Sequence, residues 1–365
     1  MLKIAILGTR GIPNNYSGFE QFAEFFSVFL AENGHDVYVY NSHNHSYQDQ
    51  VFNGVKIIHK FDPEYLIGTF GQFIYDFNCI FDSRKRKFDV ILQLGYTSSS
   101  IWGRLLPNKS VIISNMDGLE WKRSKYSPMV QKFLKYAERL AVNSSDYLVS
   151  DSLEIQKYLF KKYSVTSEFI AYGARIFKEP NVDVLKEYGV EPYEYNMLIA
   201  RMEPENNIEV ILDGVELAEM DNKFIVIGNY MSTKFGRYLK EKFAHSSKIM
   251  FLGGIFNLDH LNNLRHYSNL YFHGHSVGGT NPSLLEAMSS KAFVIAHDNM
   301  FNKSILRENA FYFLDKFDVK QHLENLKKKD FLNLVEENYL EIERNYNWSL
   351  INNKYLEFCK RCTEQ

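Results

Sequence analysis

The feature that most limits what this chain can become is a series of short apolar segments that runs, stops and then starts again. "KIAILG" (3–8), "DVYVYN" (36–41), "DVILQLG" (89–95), "SVIISN" (110–115) and "DYLVSDS" (146–152) are nearly unbroken runs of Ile, Val, Leu and Tyr. They lack the in-out alternation of a half-exposed sheet, so they predict strands covered on both faces. Helical stretches such as 19–32 and 128–143 lie between them. Parallel strands need a crossover, usually a helix, and the alternation therefore predicts an α/β unit with a parallel sheet. The pattern restarts with "NMLIAR" (196–201), "KFIVIGN" (223–229), "KIMFLGG" (248–254), "NLYFHG" (269–274) and "AFVIAHD" (292–298). Helical segments at 207–219, 232–244, 258–266 and 282–290 separate these strands, and a last helix is expected around 347–361. At 365 residues the chain exceeds one ordinary core, so two successive α/β units follow. Their joint is expected near 172–190, where Gly173 and Pro180 break the periodicity.

Composition narrows the function classes. A formal net charge of -2 gives no global reason to bind nucleic acid. Three cysteines cannot build a disulfide framework, which points to a reducing cytoplasm. Cys359 and Cys362 form a C-x-x-C that is either a metal or redox pair or simply two thiols on a terminal helix. No stretch approaches the roughly 18–20 uncharged apolar residues of a spanning helix. Met1 leads directly into the first strand, leaving no room for a signal peptide. The expected location is the cytoplasm, with at most peripheral contact at the inner face of the membrane.

In open parallel sheets, ligands bind beyond the carboxyl ends of the strands. Two such sheets facing each other would enclose one central cleft, lined by the loops at 8–19, 95–100, 115–125, 201–207, 228–234, 253–257 and 274–282. The unusual residues fall in these loops. "GTRGIPNNYSGFEQF" (8–22) carries Gly8, Gly11 and Gly18 and then opens a helix. It is not a dinucleotide fingerprint; it is either an anion-receiving loop at a helix start or a plain surface loop. "ARMEPENN" (200–207) ends a strand with Arg201, suited to a two-pronged diphosphate clamp or to an ion pair with Glu205.

"HGHSVGGTNPSLLEAM" (273–288) sets Gly278 and Gly279 before Thr280, an N-cap Asn281 and Pro282 at the first helical position. Glu286 lies too deep for a capping box, whose acid would stand at Leu284. Its carboxylate is either a partner for the paired hydroxyls of a ribose or an exposed helix glutamate helped by the dipole. His273, His275 and His297 read as packed histidines, with His275 the candidate for a site role. No Asp-x-Asp occurs, so no metal is expected to hold a diphosphate. The segment 114–141 presents Asp117 and Glu120, then Trp121, Lys122, Arg123, Lys125, Lys132, Lys135 and Arg139 among aromatics. It is either a surface that meets an anionic membrane or a solvated helix face.

Six segments, "GTRGIPNNYSGFE", "DGLEWKRSKYS", "ERLAVNSSDYLVSDS", "ARMEPENN", "HGHSVGGTNPSLLEAM" and "AHDNMFN", together resemble the GT-B glycosyltransferases of family 4. The likeness is closest to the rhamnosyltransferase-like branch that builds bacterial surface polysaccharides. The resemblance implies two Rossmann-like domains, an acceptor domain over 1–172 and a nucleotide-sugar domain over 173–346, with 347–365 as a helix crossing back to the first. It implies retention of anomeric configuration without a metal or other cofactor. Glu286 matches the second glutamate of the family's E-x7-E motif, which holds the ribose, and Arg201 the arginine that holds the diphosphate. The amides near Thr280 would add to that charge stabilisation.

Four positions depart from the wider family. The first glutamate of E-x7-E falls at Gly278, the usual lysine at Asn206, the usual acceptor-domain histidine at Asp117, and the amino-terminal glycine pair is Ser17-Gly18. Asp117 would orient the sugar or assist at the reacting centre, and Asn206 would supply a neutral hydrogen bond. The missing acid at Gly278 favours rhamnose from dTDP-rhamnose, with glucose or an N-acetylhexosamine from a UDP-sugar left open. The implied acceptor is a hydroxyl of a lipid-linked saccharide in capsule, exopolysaccharide or O-antigen synthesis, with Glu120, Trp121, Lys122, Arg123 and Lys125 on the acceptor or membrane side. Two other readings stand beside this one, a nucleotide-sugar epimerase of the same architecture and a non-catalytic sugar-nucleotide-binding partner.

Overall fold

A computed structural model describes residues 1–15 and 18–364. The chain divides into two compact units. The first comprises 1–122, 126–172 and the segment from Trp348 onward; the second comprises Arg123–Lys125 and Gly173–Asn347.

The first unit is an eight-stranded sheet of β1 (Lys3–Leu7), β2 (Asp36–Ser42), β3 (Val51–Phe52), β4 (Val55–Lys60), β5 (Val90–Leu94), β6 (Val111–Asn115), β7 (Tyr147–Ser150) and β8 (Glu168–Phe169). Their order across the sheet is β3-β4-β2-β1-β5-β6-β7-β8. All neighbours pair in parallel except the β3–β4 hairpin. Every residue of β5 is buried, as expected for a strand covered on both faces. Tyr40, Tyr75, Ile80, Phe88 and Ile91 are among the side chains packed in one core cluster of this unit.

The second unit is a six-stranded sheet of β9 (Tyr195–Ile199), β10 (Lys223–Ile227), β11 (Ile249–Gly253), β12 (Tyr271–His273), β13 (Val294–His297) and β14 (Phe311–Phe313). The order is β11-β10-β9-β12-β13-β14, parallel throughout. In each sheet the chain first winds outward in one direction and then returns to the middle to wind outward in the other. The reversal falls between β1 and β5 in the first sheet and between β9 and β12 in the second. At such a point adjacent loops part, leaving a crevice at the carboxyl ends of the strands.

All ten strands read from the apolar runs are present. Those missed, β3, β4, β8 and β14, are short or, like "VKIIHK" in β4, carry charge that hides the run. The helix Phe70–Ser83 is also absent from the sequence reading, although Phe70, Phe73, Ile74, Phe77 and Phe81 recur at helical spacing.

The helix Trp348–Thr363 returns to the first unit. Trp348 stacks on Phe25 at 4.8 Å, and Tyr355 lies 4.7 Å from the Phe22 ring. Asn115 donates its side-chain amide to the Tyr355 hydroxyl at 2.8 Å. Cys359 and Cys362 are buried free thiols of this helix, and burial pushes their pKa values up to about 12 and about 11. At neutral pH they stay protonated, which suits packing and not metal or redox chemistry.

Trp348→Ala is expected to destabilise the first unit by about 3–5 kcal/mol, the range for emptying a large aromatic site. Urea unfolding followed by far-UV circular dichroism measures it. A loss below about 1 kcal/mol would contradict the docking described.

Candidate functional site

Two loops leave the reversal point of the second sheet, 200–207 after β9 and 274–281 after β12. They touch so closely that a Cβ on Gly274 would lie 2.0 Å from the Asn206 carbonyl oxygen, so only glycine fits. Asn207 donates to the Gly274 carbonyl at 2.8 Å, and Ser276 donates its hydroxyl and its N–H to the Glu205 carbonyl at 2.8 and 3.1 Å. Asn299 and Asn302, from "AHDNMFN", each donate to the His275 carbonyl at 3.0 Å and also to the His297 carbonyl. The crevice is thus stitched from below by asparagine and serine side chains.

Arg201 stands at its edge, exposed, and forms no ion pair among the described residues. The alternative pairing with Glu205 is absent. Glu205 is buried and faces Arg123 instead, with Nη1 3.9 Å from Oε1, while Ser124 donates to its other oxygen at 3.2 Å. Arg123 therefore belongs to the second unit, mostly covered, and is not a free surface cation. Asn206 is buried and donates its amide to the Arg201 carbonyl at 2.7 Å, so this side chain shapes the arginine's loop.

Positive charge also sets the state of His275. Burial, then the charges of Arg201 and Arg123, push its pKa down to about 3, and its Nδ1 is sealed from solvent without a partner among the described residues. It stacks at 4.5 Å on His273, which is fully buried and held well below its ordinary value by desolvation. Both rings are neutral at physiological pH.

The helix Pro282–Ser289 begins as its sequence requires, with Asn281 Oδ1 accepting from the Ser283 N–H at 2.9 Å and Pro282 next. Thr280 is buried just before this end. Glu286 is no exposed helix glutamate. Its Oε2 lies 2.8 Å from Nη2 of Arg265, a guanidinium only 1% exposed. Arg265 also donates to Asn262 Oδ1 at 3.0 Å and to the Ser283 hydroxyl at 3.2 Å, and lies 5.9 Å from the Tyr271 ring centre. The carboxylate is held in place before any ligand arrives. Sequence reading missed Arg265; the available signal was an arginine beside Leu264 on the inward face of the helix Leu258–Tyr267.

Gly278 has φ +140° and open space where a Cβ would stand. An acid there would meet room but a backbone that L residues rarely adopt. Gly279 follows in the same loop. Gly8 and Gly11 lie in the first unit and have packing reasons: a Cβ on Gly8 would be 2.3 Å from the Leu94 carbonyl oxygen, and one on Gly11 2.3 Å from the Asn41 side chain. Gly18 opens the helix Gly18–Glu32, and Ser17 lies outside the described residues.

Asp117 follows β6 with φ +50°, a left-handed conformation uncommon outside glycine and concentrated at functional sites. Its N–H donates to Asn115 Oδ1 at 2.9 Å, the same Asn115 that reaches Tyr355. The buried Tyr96 hydroxyl has no partner among the described residues; desolvation, then Glu138, Asp117 and Glu120, push its pKa up, keeping it a donor. Glu120 is buried. Trp121 lies under the Lys135 ammonium at 4.1 Å and donates to the buried Glu138 at 3.2 Å. Glu138 also accepts from Tyr158, Tyr163 and Lys162. Lys122 and Lys125 remain exposed. The run 120–125 is thus divided between packed and solvated residues.

Among the described residues, no group of three or more His, Cys, Asp or Glu side chains is placed to hold a metal ion. No described helix is long and apolar enough to cross a membrane.

Residues 106–175 match a family described as a domain of unknown function, DUF1972. No curated protein is detectably similar in sequence. In structure the chain is similar to a sucrose-phosphate synthase from Thermosynechococcus elongatus, with a TM-score of 0.81 at 14% identity over 99% of both chains. It is similar to HepE of Anabaena in complex with UDP and glucose, with a TM-score of 0.77 at 14% identity over 99% of this chain and 100% of that one. An α,α-trehalose 6-phosphate synthase from Burkholderia multivorans matches at 0.71 and 10% identity over 99% and 98%. The chain has the GT-B fold.

Two outcomes follow from this geometry. Arg265→Met is expected to cost about 3 kcal/mol in urea unfolding, the low end for breaking a buried pair because Glu286 keeps some solvent contact. Adding Glu286→Met should recover most of it, whereas additive losses would contradict a coupled pair. Because the folded-state pKa of His275 is depressed from its ordinary 6.5 to about 3, its contribution is complete above pH 6.5 and is lost as pH falls towards 3. The slope is at most about 1.4 kcal/mol per pH unit. His275→Gln should flatten acid unfolding between those values; an unchanged slope would contradict the burial of a neutral ring.

Proposed function

We propose that this protein is a glycosyltransferase that takes its sugar from a nucleoside diphosphate. The observation that carries the reading is the convergence, at the reversal point of the second sheet, of Arg201, Arg123, the start of the helix Pro282–Ser289 and a Glu286 fixed by Arg265. A nucleoside diphosphate has two parts needing such groups, a dianionic diphosphate and a ribose with neighbouring hydroxyls. Arginines and a helix N-terminus answer the first, and a fixed carboxylate the second. That HepE binds UDP and glucose, and in another complex UDP-glucose, on the same fold supports the reading.

In this proposal the sugar C1–O bond to phosphate breaks while a bond forms from C1 to the acceptor oxygen. The acceptor approaches on the leaving-group face, so configuration is retained, and its proton passes to the departing phosphate oxygen. The enzyme's main contribution is charge already in place for the leaving diphosphate. Arg201 supplies the positive charge that a metal supplies elsewhere, Arg123 stands behind it set against Glu205, and Asn206 acts by shaping the Arg201 loop. The first unit takes the acceptor, with Asp117 and the Tyr96 hydroxyl as its polar contacts. The acceptor is a hydroxyl of a lipid-linked saccharide in bacterial surface-polysaccharide synthesis.

For the sugar, the open and acid-free space at Gly278 favours a deoxyhexose such as rhamnose from dTDP-rhamnose. UDP-glucose and UDP-N-acetylglucosamine are the competing donors.

Incubation of the purified protein with each donor and a lipid-linked saccharide extract, with release of the nucleoside diphosphate measured, tests this reading. Arg201→Ala and Glu286→Gln should each lower turnover at least 100-fold with the fold intact. Glutamine is the substitution of choice because alanine would leave Arg265 buried without its partner. Wild-type turnover in either variant removes that residue from the site, and donor consumption without acceptor favours an epimerase or hydrolase.

A further inference from the structure

The helix Phe70–Ser83 is apolar on the side that faces away from the core. Gly71, Tyr75, Asp76, Cys79, Ile80 and Ser83 turn inward. Phe70, Ile74, Phe77 and Phe81 recur at the spacing of one stripe on the opposite side. Phe70 is 76% exposed, Ile74 41% and Phe81 49%, and Phe77 is half-buried. A surface helix normally turns polar residues to water, and one that is apolar on both sides is covered by something.

Neighbouring elements extend the stripe. The short helix Glu64–Ile67 packs beside it and exposes Tyr65, Leu66 and Ile67. Phe61, 50% exposed, lines a shallow depression together with Phe81 and Lys85. Phe70 contacts Phe73, and Phe73 contacts Phe133 at 5.8 Å, which joins the stripe to the helix Pro128–Ser144. There Met129, one turn before Phe133, is 81% exposed. Scattered surface apolar residues need no explanation, but a contiguous patch of this size does.

The charges at the carboxyl end of the patch helix are mostly basic, while Asp62 and Glu64 at the other end are paired with Arg10. The helix runs directly into Arg84, Lys85, Arg86 and Lys87, with Lys60 alongside and Asp82 as the carboxylate among them. Asp82 already pairs with Lys60 and Arg86 at 2.6 and 2.5 Å. Lys85 lies over the Phe81 ring at 5.3 Å, its stem along the apolar surface and its ammonium at the rim. Two copies of this face would bring two basic clusters together, which disfavours self-association. A surface that accepts apolar side chains and carries negative charge satisfies both features.

We propose that the patch of Phe61, Tyr65, Leu66, Phe70, Ile74 and Phe81, with the basic run 84–87 at its edge, docks this protein on an anionic lipid bilayer. The aromatic and aliphatic side chains enter the interface while the lysines and arginines meet lipid phosphates. This places membrane contact on a surface different from 120–125. It does not depend on the transfer reaction, since docking needs neither donor nor acceptor.

The test is co-sedimentation of the full chain with vesicles of phosphatidylcholine and phosphatidylglycerol at 7:3 and of phosphatidylcholine alone. Wild type should bind the anionic vesicles, and the binding should weaken at least tenfold in the triple variant Phe70→Ser, Ile74→Ser, Phe81→Ser. Lys85→Glu combined with Lys87→Glu should weaken it at least threefold, and raising salt should do the same. Lys122→Glu with Lys125→Glu should leave it unchanged. Nucleotide binding by calorimetry, expected to be unaffected in the patch variants, reports that they fold. Wild-type protein that ignores anionic vesicles, a triple variant that binds as wild type does, or a patch-dependent dimer that does not bind lipid would each overturn the proposal. Failure of glycosyl transfer with intact vesicle binding would bear on the reaction alone.

Discussion

The contact between Gly274 and the Asn206 carbonyl is the constraint on which the candidate site rests. Strand order reverses between β9 and β12, so the two loops that follow must start side by side and then part. Only a residue without a Cβ lets them start this close. From that contact one loop carries Arg201 outward and the other carries His275, Gly278 and the helix start. Serine and asparagine side chains fix the carbonyls between them. The electrostatics follow from the geometry: Arg123 is set against the buried Glu205, so Arg201 is the cation the crevice presents, beside imidazoles that stay neutral.

The second constraint is the Arg265–Glu286 pair. A carboxylate turned into a partly apolar site costs desolvation unless it is paired, and the buried guanidinium meets that need at 2.8 Å. The pair also restricts the glutamate to one orientation, which matters for a group that has to meet two hydroxyls at once. In the first unit Asn115 has a comparable part. It accepts from the Asp117 N–H and donates to Tyr355, so the returning helix and the left-handed turn at Asp117 share one side chain.

What the sequence made legible follows from how local the information is. Strands buried on both faces announce themselves as apolar runs, and the cap at Asn281-Pro282 is a matter of adjacent residues; both were readable. Glu286 stood out because its neighbours are apolar. Its partner did not, since Arg265 is 21 positions away and nothing local marks an arginine as buried. Arg123 was grouped with Lys122 and Lys125 by adjacency, yet the fold turns it into the second unit against Glu205, 82 positions on. The helix Phe70–Ser83 carries an apolar stripe at Phe70, Phe73, Ile74, Phe77 and Phe81, and only burial shows that Phe70, Ile74 and Phe81 of that stripe are left exposed.

The proposed transfer requires a nucleoside diphosphate bound at the reversal point of the second sheet. A crystal structure of the protein with dTDP or UDP tests it most directly. The diphosphate is expected within hydrogen-bonding distance of Arg201 and the amides at Thr280-Asn281, with both ribose hydroxyls on Glu286. A nucleotide bound elsewhere, or one whose ribose leaves Glu286 untouched, would contradict it.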